Sequence, residues 1–230
     1  MASLAARGFA VYAVDLRGYG ASPRDRTGFL TPTRAAADVV AVLKWVTVRH
    51  PGLPPPALLG WSLGGAVVQL AAQQPDAVIS SLVLFGYSVA PDLKFASRPV
   101  PEQPAMQKTD RADAESDFIS PLVTPRAVID AFVKQALAAD PVRMDWIRED
   151  EFNALRPEKL TMPVLVLHGS RDPGMDDTAT GKFVARLASA HRQWTILPGG
   201  DHAAQLEDTH DAFVDAVAGF ILRPVPARRQ

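Results

Sequence analysis

Short aliphatic runs alternate along this chain with segments of helical apolar spacing, and that alternation constrains the fold more than any other feature. Phe9–Asp15, Ala57–Trp61, Ser81–Phe85, Val164–His168 and Gln193–Leu197 each have the length and β-branched or aliphatic content of a buried strand. Between the first two, Thr31–Pro32 has the form of an N-cap followed by proline at the first helical position, and Ala36, Val39, Val40, Leu43 and Val46 follow at helical spacing. Leu63–Gln74, Phe183–Ala190 and a last segment carrying Phe213, Val214, Val217 and Ile221 are expected to be helices as well. Strands that never follow one another directly cannot form hairpins. They are expected to pair in parallel, with helices on both faces, in an α/β fold.

The interval from residue 92 to residue 162 breaks the rhythm. Pro99, Pro101 and Pro104 give an irregular stretch, Thr124–Pro125 starts a helix with Val128, Ile129, Phe132, Val133, Ala136 and Leu137 on its apolar face, and a further helix is expected around Met144, Trp146 and Ile147. Seventy-one residues without a convincing core strand exceed any simple connection, so this interval is taken as a helical insertion. The core is then residues 1–91 and 163–222, and residues 223–230 form a C-terminal tail.

Composition excludes several function classes. Lys+Arg is 24 against Asp+Glu 25, a formal net charge of −1, which gives no general attraction to nucleic acid. There is no cysteine, so disulfides, thiolate metal sites and a cysteine nucleophile are excluded, and no cofactor is expected. No apolar run approaches a membrane span, and no basic region followed by an apolar core marks an export signal, so the chain is expected in the cytoplasm. The expected partner is a small molecule; the oligomeric state is left open.

Gly60-Trp61-Ser62-Leu63-Gly64 is a G-x-S-x-G pattern. Such a pentapeptide arises by chance in roughly one chain in ten of this length, so its context matters more than its letters. It follows a strand and opens a helix. A sharp turn there crowds the backbone, which small flanking residues relieve, and holds the serine out at the carboxyl edge of the sheet. The helix N-terminus also favours the negative charge that develops in acyl transfer, with the Leu63 N–H as one oxyanion donor. A plain N-cap serine is the bland alternative.

A serine hydroxyl needs a base. Of five histidines, His50 ends a helix, His191 and His210 lie on polar positions, and His168 suits a packed strand end. His202, in the loop after the strand ending at Leu197, lies at the same sheet edge as Ser62. The acid that holds the imidazole is expected to be Asp172, just past the strand Val164–His168. Asp176, Asp177 and Asp92 are alternatives. The chain order Ser, Asp, His differs from that of trypsin-like and subtilisin-like enzymes.

With these residues the chain resembles the α/β-hydrolase superfamily, in the group of cap-bearing esterases and lipases. The resemblance rests on Asp15-Leu16-Arg17-Gly18-Tyr19-Gly20-Ala21-Ser22, the turn at Gly60–Gly64, the turn with Asp172 and the loop with His202. It implies a serine hydrolase acting on a carboxylic ester or related acyl bond. Carbon–carbon bond hydrolysis, perhydrolysis, or a relative without turnover are the alternatives. It implies that residues 92–162 form a cap, with Trp61, Phe132 and Trp146 as candidate substrate contacts, and that Arg17 and its neighbouring glycines are structural. It also implies that three strands, roughly 40–60 residues, would precede Met1, and that the second oxyanion donor is missing with them. The resemblance places one of those strands between Phe9–Asp15 and Ala57–Trp61. Phe9–Asp15 is therefore expected either to shift across and pair with Ala57–Trp61, or to belong to a fragment of a longer product, the favoured expectation.

Overall fold

The computed structural model describes residues 1–87, 90–119 and 123–223; the expected tail therefore lies almost wholly outside the described residues. The main sheet has four parallel strands in the order β2 (Ala57–Trp61), β3 (Ser81–Phe85), β5 (Val164–Gly169) and β6 (Arg192–Leu197). Two-residue strands β1 (Phe29–Leu30) and β4 (Asp145–Trp146) form a separate parallel pair.

The two central strands explain why their sequences are continuously apolar. Successive side chains point to opposite faces, and both faces are covered. Leu82, Leu84, Val164 and Val166 enter one core, with α2 (Pro32–Arg49), α3 (Leu63–Ala72) and α6 (Asp177–Arg186). Val83, Phe85, Leu165 and Leu167 enter the other, under α7 (His210–Ile221). All eight are at most 1% exposed. Full burial of each aliphatic side chain is worth about 1.5–3 kcal/mol, which makes this pair of strands the centre of the domain. Thr31 caps α2 as expected, its hydroxyl accepting the Arg34 N–H at 3.3 Å.

The expected strand Phe9–Asp15 is not formed. These residues carry no regular structure, and the main sheet ends at β2. The physical reason is pairing. A β-prone run becomes a strand only with a neighbour, and no described residue pairs with β2 on its outer side. The segment neither shifts across to pair with β2 nor buries its apolar residues: Tyr12 is 40% exposed and Val14 43%, and on the open edge Leu59 is 38% exposed. Tyr12 is held instead against the end of α2, edge-on to Trp45 at 5.6 Å and hydrogen-bonded to His50 at 2.7 Å. Just before the segment, α1 (Ala2–Ala6) rests on α7, where the Ser3 hydroxyl meets His210 at 2.7 Å.

Asp15–Ser22 makes a closed turn. The Asp15 carboxylate accepts the Ala21 N–H at 3.0 Å, and the Ser22 hydroxyl donates to the Asp15 carbonyl at 2.7 Å. Gly20 has φ +52°, and a Cβ there would fall 2.4 Å from that carboxylate, so glycine is required. Arg17 pairs with Asp38 of α2 and with Asp25 at 3.0 Å, a structural role.

Between β3 and β5 lie α4 (Arg111–Glu115), α5 (Arg126–Ala139) and β4, followed by 3-10 turns at Glu149–Ala154 and Pro157–Lys159. The helix expected around Met144–Ile147 is instead β4. It pairs with β1, and the Ile147 N–H extends the pairing to the Leu30 carbonyl at 2.9 Å. The helix expected over Phe183–Ala190 begins earlier and stops at Arg186. Arg192 of β6 donates to the Leu187 carbonyl at 2.9 Å, satisfying the helix end from outside.

Amide hydrogen exchange should reflect this contrast. The N–H groups of Val164–Leu167, in a strand stretch paired on both sides, should exchange only by global opening, and those of residues 10–15 within seconds to minutes. Equal protection of the two segments would show that residues 10–15 are paired.

Candidate active site

The site is assembled at the carboxyl ends of β2, β5 and β6. Ser62 forms the turn between β2 and α3 with φ 53° and ψ −127°, a backbone conformation that non-glycine residues avoid. Two hydrogen bonds hold it there. The Ser62 N–H donates to the Phe85 carbonyl of β3 at 3.0 Å, and the Gly65 N–H donates to the Ser62 carbonyl at 2.8 Å. Strain of this kind persists only where the surroundings over-determine it. Glycine at 60 is required because a Cβ would fall 2.4 Å from both the Gly64 carbonyl and Val68 Cγ2. Position 64, by contrast, faces open space. Gly65 lies outside the pentapeptide pattern, yet it is the more constrained of the two, since a Cβ there would meet the Tyr87 ring at 2.5 Å.

The loops carrying Asp172 and His202 are stitched together by backbone. A Cβ on Gly169 would lie 2.2 Å from the Gly200 carbonyl, so the chains touch there without side chains between them. The Ser170 N–H reaches the Leu197 carbonyl at 2.9 Å, Arg171 N–H the Gly200 carbonyl at 2.8 Å, and Gly199 N–H the Ser170 hydroxyl at 2.9 Å. The result is a 2.8 Å contact between His202 Nδ1 and Asp172 Oδ2. Asp172 is 6% exposed, and its other oxygen accepts the Gly174 N–H at 2.9 Å.

The His202 ring lies over Gly86 and beside Trp61, the residue before Ser62. A Cβ on Gly86, which has φ +53°, would be 3.1 Å from His202 Nδ1 and Cε1 and 3.3 Å from Trp61 Cδ1. Trp61 Nε1 donates to the His202 carbonyl at 2.9 Å, and the two rings are 5.5 Å apart. Burial pulls the imidazole pKa down. The hydrogen bond and charge of Asp172, supplemented by the charges of Asp117 and Asp201, outweigh it, and the net shift is upward. Asp117 was not foreseen, because nothing in a sequence ties a residue after α4 to a loop some eighty positions on. Burial raises its carboxyl above the usual range while His202 pulls it down.

The other candidates are otherwise engaged. His168 is buried, with Nδ1 near its neighbour's carbonyl and Nε2 accepting from Trp194 at 3.0 Å. Asp176 caps α6, Asp177 opens that helix, and Asp92 pairs with Arg186 at 2.9 Å on the surface. Trp146 donates to the Tyr19 hydroxyl at 2.7 Å and stacks on Phe152, while Phe132 meets Phe118 edge-on at 5.1 Å on α5. A shallow cleft between Gln69, Tyr87, Phe152 and Phe183 is lined by none of Ser62, Asp172 and His202. Among the described residues there is no cluster of three or more potential metal ligands, and no helix is long and apolar enough to cross a membrane.

A parallel sheet between helical layers, a strained serine at a strand–helix turn, and a paired histidine and aspartate at the same edge define an α/β-hydrolase. The chain belongs to the family described as serine aminopeptidase S33 (Hydrolase_4), whose model matches residues 1–209. It is 25% identical over 223 residues to a monoacylglycerol lipase of Mycolicibacterium smegmatis, covering 94% of this chain and 79% of that protein. It is 29% identical over 227 residues to the AB hydrolase superfamily protein YisY of Bacillus subtilis, covering 90% and 80%. Among solved structures, the esterase RhEst1 from Rhodococcus superposes with a TM-score of 0.66 at 26% identity, covering 95% of this chain and 83% of that one.

Replacing Asp172 by Asn removes the charge that outweighs burial, so the His202 pKa should fall. The sign follows from the shift. A base raised above its ordinary value is neutral only at higher pH, so the acid limb of any His202-dependent activity should lie higher in the wild-type protein than in Asp172→Asn. Histidine NMR titration of both proteins measures this directly, and an unchanged His202 midpoint would remove Asp172 as its partner.

Proposed function

We propose that this protein is a serine hydrolase that cleaves carboxylic esters through an acyl-enzyme on Ser62. The observation that carries the reading is the 2.8 Å His202–Asp172 pair beside the Ser62 turn. With Nδ1 engaged by a buried carboxylate, the proton sits on that nitrogen and Nε2 is left as the base. In the forward step Ser62 Oγ attacks the ester carbonyl carbon and its proton passes to Nε2. The carbonyl oxygen takes up negative charge at the start of α3, where the Leu63 N–H is the first oxyanion donor. Collapse expels the alcohol, which leaves with the proton from Nε2. A water then attacks the acyl-enzyme, again giving its proton to His202, and the acid is released as Ser62 regains its hydrogen.

The lipase and esterase relatives support an ester over other acyl substrates. The serine at 62 argues against epoxide opening or halide displacement, which use a carboxylate at that turn in related proteins. Residues 92–162 form, on this reading, a cap over the site. Phe132 is its best candidate for an acyl contact, because Trp146 spends its indole N–H on Tyr19 and its ring on Phe152.

Ser62→Ala should lower ester hydrolysis by roughly 10⁴–10⁶-fold and abolish labelling by a fluorophosphonate probe, with unchanged thermal unfolding. A mutant that retains wild-type turnover rules out the serine mechanism. The cap reading has its own check. Phe132→Ala should reduce kcat/KM for an octanoyl ester about 3- to 10-fold more than for an acetyl ester, the scale expected for lost apolar contact. An equal loss on both, together with a lowered Tm, assigns Phe132 to packing.

A further inference from the structure

Glu207 lies five residues beyond His202 in the sequence and has no part in the reaction just described. It is nonetheless 5% exposed, rare for a glutamate. Its two oxygens hold two different parts of the chain. One accepts the backbone N–H of Asp201, the residue before His202, at 2.9 Å. The other accepts the hydroxyl of Thr124, 6% exposed and just ahead of α5, at 3.1 Å. Thr124 was expected to cap α5, but the helix starts without a side-chain cap, and this hydroxyl is spent on Glu207 instead.

We infer that Glu207 is a positioning residue for His202, clamping the histidine loop to the segment that leads into α5. His202 is then held from three directions: its ring by Asp172, its carbonyl by Trp61, and the amide before it by Glu207. Asp172 and Trp61 fix the ring and the far side of the residue, the Arg171 N–H holds the Gly200 carbonyl at 2.8 Å, and Glu207 holds the amide between those points. Without Glu207, the buried Asp201 N–H loses its acceptor, and the loop must move to find another. A hydrogen-bonded base displaced by as little as 1 Å loses much of its effect. Neither contact requires a charge. In Glu207→Gln the amide carbonyl can accept from the Asp201 N–H while the amide nitrogen donates to the Thr124 oxygen.

The inference rests on the serine hydrolase reading, and its test separates the two. Kinetics on a short-chain ester and histidine NMR titration are compared for the wild-type protein, Glu207→Ala, Glu207→Gln and Thr124→Val. Glu207→Ala should lower kcat about 10- to 100-fold with little change in KM and move the His202 pKa down as the Asp172 contact loosens. The groups charged toward that ring are Asp172, Asp117 and Asp201, none of them altered. Glu207→Gln should retain kcat within about threefold and the wild-type titration, and Thr124→Val should fall between. The inference is overturned if Glu207→Ala keeps the wild-type kcat and titration, or if Glu207→Gln is as impaired as Glu207→Ala. If Glu207→Ala does not fold, Thr124→Val with wild-type kcat and titration overturns it. A wild-type protein that takes no fluorophosphonate label defeats the hydrolase reading instead, and the His202 titrations still decide the role of Glu207.

Discussion

The parallel pairing of Val164–Gly169 with Arg192–Leu197 determines where Asp172 and His202 meet. In register, Gly169 stands opposite Leu197, so both strands end at the same level and send their loops out of the same edge. The two loops can then touch at Gly169 and Gly200, and only bare backbone permits that approach. Asp172 and His202 lie thirty residues apart in sequence and have no local reason to meet. A one-residue slip in this pairing would exchange the two faces of β6 and carry His202 away from Asp172. The apolar runs of β3 and β5, buried on both faces, hold the register against such a slip.

Ser62 depends on the same sheet from the other direction. Its left-handed backbone is unfavourable alone, and its N–H is held by the last carbonyl of β3, the strand between β2 and β5. The strain is offset by pairing in the central sheet, so Ser62 and the His202–Asp172 pair are held by one sheet. Gly86 extends this frame. It follows β3 directly, and its missing side chain leaves the space that the His202 ring and Trp61 occupy.

The weak flank of the molecule is the edge at β2. Leu59 of β2 is 38% exposed, and Tyr12 and Val14, in a segment without regular structure, are 40% and 43% exposed. Asp172 follows β5, which is buried on both faces, and His202 follows β6, the strand at the opposite edge of the sheet. The Asp172–His202 pair therefore sits at the end of the sheet away from β2, the strand from which Ser62 leaves.

Much of this was legible in the residues. The runs Ala57–Trp61, Ser81–Phe85 and Val164–His168 became strands because their composition and length suit double-sided burial, and Thr31–Pro32 capped a helix by local hydrogen bonding alone. Ser62 was singled out by glycine spacing, and Asp172 and His202 by standing just past strand ends, because in a parallel sheet those ends gather on one edge. What failed was whatever required a partner the sequence cannot name. Phe9–Asp15 has strand composition but no neighbour to pair with. Asp145–Trp146 has helical apolar spacing but found Phe29–Leu30. Thr124 has cap chemistry but found Glu207, and Asp117 reached His202 from across the insertion. The sequence by itself determined most of the core strands and helices and the edge where Ser62, Asp172 and His202 gather, because those follow from local burial pattern and turn chemistry. Only the tertiary structure decided which groups share hydrogen bonds, because a donor takes whichever acceptor the packed chain brings within about 3 Å, and distance along the chain does not predict which that will be.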